Sequence, residues 1–131
     1  MVTTAKTATK SQLGDEGEAR ALAHLQRHGL TLVQRHYRVA GGPYAAGAEI
    51  DLIARDADGT LVFVEVRARG RRSHGGAAAS IGPVKRRRLL LAARHYLLSY
   101  PTPPPCRFDV VAIEGERIEW LRAAFDASPG A

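Results

Sequence analysis

The chain has 131 residues, of which 45% are apolar and 24% are charged. This length fits one ordinary domain, and the composition excludes a collagen-like, coiled-coil or wholly disordered chain. The 19 Lys and Arg outnumber the 13 Asp and Glu, which gives a formal net charge of +6. A domain this basic is typical of proteins that meet a polyanion, either nucleic acid or an anionic membrane surface.

The cellular location is predicted from cysteine content and hydropathy. Cys106 is the single cysteine, so no intrachain disulfide can form, which favours a reducing environment. Residues Met1–Lys10 contain no apolar segment of the kind found in signal peptides, and no apolar run is long enough to cross a bilayer. We therefore expect a cytoplasmic protein with no membrane partner.

The hydrophobic pattern predicts two helices and five strands in the order α-β-β-β-α-β-β. One helix covers Ser11–His28, and a second begins at Gly82-Pro83 and runs to about Ser99. The predicted strands are Leu30–Val39, Glu49–Ala54, Leu61–Ala68, Arg107–Ile113 and Arg117–Leu121. This order predicts an α/β fold with a central mixed sheet flanked by helices, in one domain over residues 11–126. Residues 1–10 and 127–131 are predicted to be a disordered leader and tail.

The second and third predicted strands carry acidic residues where a buried layer is expected. Strand side chains alternate between two faces. In the second strand, the acids Glu49 and Asp51 share one predicted face, and the other face holds only apolar residues, namely Ile50, Leu52 and Ala54.

The turn between these strands decides whether their acids meet. A three-residue loop that ends at Gly59 places Asp51 directly opposite Glu65, and Glu49 opposite Arg67. A two-residue turn would put Asp51 and Glu65 on opposite faces and force one carboxylate into the apolar layer. We therefore favour the three-residue loop.

Two carboxylates opposed on a sheet destabilise it unless a cation lies between them or one of them keeps its proton. Mg²⁺ is commonly held by one or two carboxylates together with water and substrate phosphate. The alternative is two surface acids, with Glu49 and Arg67 forming an ordinary ion pair across the strands. The pattern alone leaves both interpretations open.

The first helix adds a third acid. Glu18 lies on the same helical stripe as Leu22 and Leu25, so its carboxylate could point towards the sheet. The rival interpretation is that an acid near the start of a helix simply stabilises the helix dipole.

The positive charge is concentrated in one part of the chain. Between Val66 and Phe108 there is no Asp or Glu, and clusters of cations without acids are typical of surfaces that bind phosphate backbones. Lys85 also begins a predicted core-facing row with Leu89, Ala92 and Tyr96. The predicted nucleic-acid contacts are Arg69, Arg71, Arg72, Lys85, Arg86 and Arg88.

Several motifs occur in the order found in a known family. They are Gly17-Glu18, Glu49-Ile50-Asp51-Leu52-Ile53, Val62-Phe63-Val64-Glu65-Val66-Arg67, Gly75-Gly76-Ala77-Ala78-Ala79-Ser80, Lys85 and Arg107-Phe108-Asp109-Val110-Val111. Over roughly residues 11–125 the chain resembles the YraN-type uncharacterised bacterial proteins. These are a branch of the PD-(D/E)XK nuclease-like superfamily and are similar to archaeal Holliday-junction resolvases.

The resemblance implies a restriction-endonuclease-like fold and a set of site residues. Asp51 and Glu65 match the metal-binding acids of the superfamily, and Glu18 matches a helix-one acid of the resolvases that would complete the metal site. The catalytic lysine of the superfamily falls at Arg67. Arginine keeps its proton and cannot act as a general base, so Lys85 is the candidate for the missing ammonium group.

The function expected on this basis is a Mg²⁺- or Mn²⁺-dependent endonuclease that acts on DNA, with branched or damaged DNA as candidate substrates. Glu18, Asp51, Glu65 and Arg67 would be its catalytic residues, with Glu49 in support. One alternative is a non-catalytic nucleic-acid-binding module that keeps the nuclease fold. Another is a basic subunit that binds an acidic protein, and a homodimer is left open.

Overall fold

The computed structural model describes residues 10–41, 47–69 and 81–125. They form two helices and five strands in the predicted order. The elements are α1 (Lys10–Arg27), β1 (Thr31–Val39), β2 (Ala48–Arg55), β3 (Leu61–Arg69), α2 (Pro83–Leu97), β4 (Cys106–Glu114) and β5 (Arg117–Phe125). The predicted tail, the basic loop after β3 and all of the predicted leader except Lys10 lie outside the described residues.

The five strands form one mixed sheet in the order β1-β2-β3-β4-β5. The pairs β1–β2, β2–β3 and β4–β5 are antiparallel, while β3 and β4 are parallel. A parallel pair needs a crossover connection, and α2 lies in that connection. The predicted α/β class with a central mixed sheet and flanking helices is therefore confirmed.

The two helices cover opposite faces of the sheet, and each face carries its own core. On the α1 face, Ala21 and Leu25 pack with Val62, Val64 and neighbouring strand residues. On the α2 face, Leu89 packs with the large buried strand side chains Ile50, Phe63 and Phe108. The central strand β3 is thus buried on both faces, which explains its nearly continuous apolar sequence.

The register of the β2–β3 hairpin is the predicted one. Leu52 pairs with Val64 and Arg55 pairs with Leu61, and Gly59 has a left-handed φ of 91°. Glycine adopts this conformation without the steric cost that a Cβ imposes. The three-residue loop therefore brings Asp51 and Glu65 to the same point along the two strands.

The predicted faces of β2 need one correction. Leu52 and Ala54 pack on the α1 face, but Ile50 packs on the α2 face together with Ile53. The alternation breaks at Asp51, which is where the residue-by-residue pairing with β3 has ended. On the neighbouring strand β1, His36 has a left-handed backbone conformation. It lies between the two β1 residues that pair with Leu52 and Ile50. Asp51 therefore lies at the point where the alternation of β2 side chains between the two faces is interrupted.

A glycine lets α1 approach the sheet closely. A Cβ built on Gly17 would lie 2.7 Å from the Cβ of Ala68 on β3, closer than two carbons can pack. The neighbouring Glu18 is buried at 8% exposure. The absence of a side chain at Gly17 therefore lets the part of α1 that carries Glu18 lie against β3.

No helix among the described residues is long and apolar enough to cross a membrane.

Replacing Gly17 with Ala is expected to lower the free energy of unfolding by about 1 to 3 kcal/mol, because the added methyl group overpacks a tight contact. Gly14→Ala is the matched control, since a Cβ at this helical position meets no atom of the described residues within 4 Å. The control is expected to gain up to about 1 kcal/mol from helix propensity. Urea denaturation measures both variants, and equal stability of the two would contradict the close contact at Gly17.

Candidate metal and nucleic-acid site

Asp51 and Glu65 form the centre of the candidate site. Glu65 lies on the α2 face of β3 at 3% exposure, and Asp51 on β2 is half-buried. Oδ2 of Asp51 accepts a hydrogen bond of 2.8 Å from the backbone N–H of Val66. This bond takes the place of strand pairing where the β2–β3 register ends, and it fixes the Asp51 carboxylate beside Glu65.

The surroundings of Glu65 oppose a negative charge. Burial raises the pKa of Glu65 to about 8, and the charge of Asp51 acts in the same direction. The cations of Lys85 and Arg67 oppose this shift without cancelling it. Oε1 of Glu65 is buried and accepts no hydrogen bond from any residue that the structure describes. Glu65 therefore offers an oxygen atom that a proton or a metal ion could satisfy.

Two cations approach the other oxygen of Glu65. Nζ of Lys85 lies 3.5 Å from Oε2, and Nη1 of Arg67 lies 3.8 Å from the same atom. Lys85 reaches the site from the first turn of α2, as its helical stripe predicts, and its side chain is 39% exposed. The site thus has positively charged groups next to its acids, which suits a phosphate ligand.

Glu18 brings a third carboxylate from the α1 side. Its side chain is only 10% exposed, and its Oε1 lies 3.1 Å from Nε2 of His36 and 3.8 Å from Nη2 of Arg35. Burial raises the pKa of Glu18, and the negative charge of Asp51 raises it further. The prediction that Glu18 points towards the sheet is confirmed, and Asp51 acts electrostatically on both Glu18 and Glu65.

Sequence reasoning did not identify His36. Its backbone φ of 52° lies in the left-handed region, which is uncommon for a residue with a side chain. Its two ring nitrogens contact Glu18 and Glu49, the latter at 3.2 Å from Nδ1. Glu49 also lies 3.2 Å from Nε of Arg38, so its described contacts are with β1, whereas the sequence predicts Arg67 opposite it. No glycine marks the unusual backbone at position 36, so the sequence gives no signal of it.

The predicted nucleic-acid residues fall into two groups. Arg86 and Arg88 lie on the exposed surface of α2, where Arg86 also donates to the carbonyl of Ile81 at 3.2 Å. Arg71 and Arg72 lie outside the described residues, as does the side chain of Arg69. The described part of the cationic surface is therefore α2, which carries no acidic residue.

A third buried acid, Asp109 on β4, holds the loop end of the β2–β3 hairpin through Arg107. Its carboxylate accepts hydrogen bonds from Nε1 of Trp120 at 2.9 Å and from Nε of Arg107 at 3.1 Å. Arg107 in turn reaches Asp56 at 2.8 Å. These partners satisfy the carboxylate, so Asp109 acts in the fold and not in the metal site. The sequence signal for this buried acid is the position of Asp109 between Phe108 and Val110 in an otherwise apolar strand segment.

A central mixed sheet with a cluster of buried acids beside a cationic helix defines an α/β protein with a candidate metal and phosphate site. The chain belongs to the uncharacterised protein family UPF0102, whose model matches residues 17–113. This agrees with the resemblance to YraN-type proteins.

Curated relatives match nearly the whole chain. The UPF0102 protein Mpe_A3766 of Methylibium petroleiphilum is 68% identical over 92% of this chain and 98% of its own length. A UPF0102 protein of Acidovorax sp. is 59% identical over 95% of this chain and 92% of its own length.

Solved structures give more distant matches. The crystal structure of SSO0001 superposes with a TM-score of 0.47 at 20% identity, over 92% of this chain and 55% of that one. The structure of an EndoMS–dsDNA2 complex gives a TM-score of 0.37 at 16% identity, over 82% of this chain and 38% of that one.

The raised pKa of Glu65 predicts a pH-dependent stability in the absence of metal. Between the unfolded pKa of 4.5 and the folded pKa of about 8, the folded protein keeps a proton that the unfolded chain has lost. The free energy of unfolding should therefore fall as pH rises through this window, by a few kcal/mol in total. Glu65→Gln removes the titrating group and should abolish this component of the fall.

Denaturation curves between pH 5 and pH 9 test this expectation. Glu119→Gln, which changes an exposed acid on β5, is the matched control and should follow the parent. Parallel curves for parent and Glu65→Gln would show that Glu65 has an ordinary pKa.

Proposed function

We propose that this protein binds DNA through its cationic surface and hydrolyses the phosphodiester backbone with a divalent metal ion held by Asp51 and Glu65. The observation that carries the proposal is the contact between these two carboxylates, one of which has a buried oxygen atom without a hydrogen bond from the described residues. A proton shared with Asp51 would satisfy that oxygen, and a metal ion held between the two carboxylates would replace that proton.

The residues fit a hard cation such as Mg²⁺ or Mn²⁺. Both ions take carboxylate oxygens as ligands and commonly complete their shells with water and substrate phosphate. Asp51 and Glu65 supply two such oxygens, and a cation between them would offset the burial and the repulsion by Asp51 that raise the pKa of Glu65. When bound, such a metal ion lowers the pKa of a coordinated water and stabilises charge on the phosphate oxygens.

Lys85 and Arg67 have complementary roles in this proposal. Both approach Oε2 of Glu65, so a phosphate beside the acids would be within reach of their donors. Arg67 stays charged and can only donate hydrogen bonds to the phosphate. Lys85 is a more flexible ammonium group on the partly exposed side of the site. We assign to it the position that lysine has in the nuclease-like superfamily.

The same contacts support a second candidate function, a DNA-binding module without cleavage. Lys85 and Arg67 already place two positive charges beside Glu65. If they neutralise the acid pair in the functional state, they take the place of the metal ion. Cleavage assays and metal titrations separate the two functions, while both predict binding to DNA.

Catalysis is tested by nicking of branched and linear DNA in Mg²⁺ or Mn²⁺. Asp51→Asn should abolish cleavage, because the amide can still accept the hydrogen bond from Val66 but is a poor metal ligand. Arg67→Ala should cleave about a hundredfold more slowly, the usual cost of losing one donor to the transition state. Arg67→Lys should cleave at least as well as the parent.

Glu119→Gln is the control for loss of a carboxylate and should cleave like the parent. If the parent is as inert as Asp51→Asn on every substrate, cleavage is excluded and the DNA-binding module becomes the better account. If Arg67→Ala cleaves as fast as the parent, Arg67 has no catalytic role and Lys85 is the residue to replace next.

DNA binding should be mainly electrostatic. If about five phosphates are neutralised, the logarithm of the binding constant should fall against the logarithm of salt concentration with a slope of about −4 to −5. Replacing both Arg87 and Arg88, which are exposed on α2, with Ala should flatten the slope by roughly two units. Arg27→Ala, at the exposed C-terminal end of α1, is the control and should leave the slope unchanged. A slope near zero for the parent would favour an acidic protein as the partner.

A further inference from the structure

We infer that Asp15, Glu18 and His36 form a second metal site that binds a divalent transition-metal ion in preference to Mg²⁺. One potential ligand atom from each of these residues lies within 4.8 Å of the other two. The inference stands on this geometry and not on the proposed cleavage of DNA.

The buried carboxylate of Glu18 points to a missing ligand. Its side chain is nine-tenths buried, and within the described part of the chain its Oε1 accepts no hydrogen bond. Nε2 of His36 lies 3.1 Å from this oxygen, but the ring does not aim an N–H at it. Two adjacent ligands of an ion bound at about 2.1 Å lie roughly 3.0 to 3.4 Å apart, so the separation of these atoms suits a shared ion.

Glu49 orients the imidazole as a metal ligand requires. Nδ1 of His36 lies 3.2 Å from Oε1 of Glu49. A metal-binding histidine usually donates its second ring nitrogen to a carboxylate or carbonyl, which fixes the tautomer and the ring direction. With the proton on Nδ1 and donated to Glu49, the lone pair of Nε2 faces the side of Glu18. The left-handed backbone of His36 turns the ring into this position between the two acids.

The donor set selects the ion. Two carboxylates and one imidazole suit Zn²⁺, Mn²⁺ or a related transition metal, whereas Mg²⁺ prefers oxygen ligands alone. Asp15 is exposed in the second turn of α1, so its side chain can move to close the shell. The competing group is Arg35, whose Nη2 lies 3.8 Å from Oε1 of Glu18 with 38% of the side chain exposed. Arg35 can turn to solvent when an ion binds.

The experiment uses the full chain and Zn²⁺ alone as the probe. Two-dimensional imidazole NMR follows each histidine separately, which matters because His24 and His28 are one helical turn apart and could bind Zn²⁺ themselves. We expect the Nε2 resonance of His36 to shift on saturation while its Nδ1 proton is retained. A large excess of Mg²⁺ should not produce this shift.

Variants separate this site from Asp51 and Glu65. Asp15→Asn should weaken Zn²⁺ binding at His36 at least tenfold, whereas Glu16→Gln, a neighbouring exposed acid, should not change it. Arg35→Ala should tighten binding by removing the competing cation. His36→Asn should abolish the site, and it should still fold because asparagine tolerates a left-handed backbone.

The shift at His36 should persist in Asp51→Asn, so loss of DNA cleavage in that variant leaves this inference intact. An unchanged Nε2 resonance in the parent at millimolar Zn²⁺ would overturn the inference. Equal affinity in the parent and Asp15→Asn would also overturn it, because the proposed ligand set would then be wrong.

Discussion

The candidate site depends on the contact between two carboxylates inside the sheet. Asp51 and Glu65 lie on neighbouring strands, and burial together with the charge of Asp51 raises the pKa of Glu65 to about 8. A fold that needed only stability would avoid such a contact, because an apolar pair of similar size costs less to bury. Here the contact is kept and cations are placed around it, which is the arrangement expected of a site that binds a metal ion and a phosphate.

The rest of the fold brings charged groups to this point from both faces of the sheet. Gly17 lets α1 approach β3, which brings Glu18 from one side. Lys85 comes from the first turn of α2 on the other side. The β2–β3 pairing ends before Asp51, and the Val66 N–H binds the side chain of Asp51 in its place. The two acids therefore meet at the point where the regular pairing of β2 with β3 ends.

Local sequence signals predicted much of this arrangement. Gly59 fixes the hairpin loop, and the resulting register brings Asp51 and Glu65 to the same point along the two strands. Helical spacing placed Glu18 and Lys85 on inward stripes, since a helix keeps its period along its whole length. The break in β2 and the turned backbone of His36 were not predictable in this way. Both depend on how three strands pack together, and neither leaves a glycine or proline in the sequence. The basic segment after β3 lies outside the described residues, so the contacts assigned to Arg71 and Arg72 remain predictions.

The central claim is that Asp51 and Glu65 together hold a divalent cation. The most direct test is an anomalous difference map from a crystal of the full chain soaked in Mn²⁺. The account predicts a peak about 2.0 to 2.6 Å from one carboxylate oxygen of each residue, and this peak should disappear in Asp51→Asn. A map without a peak between the two acids, with Lys85 still in contact with Glu65, would contradict it.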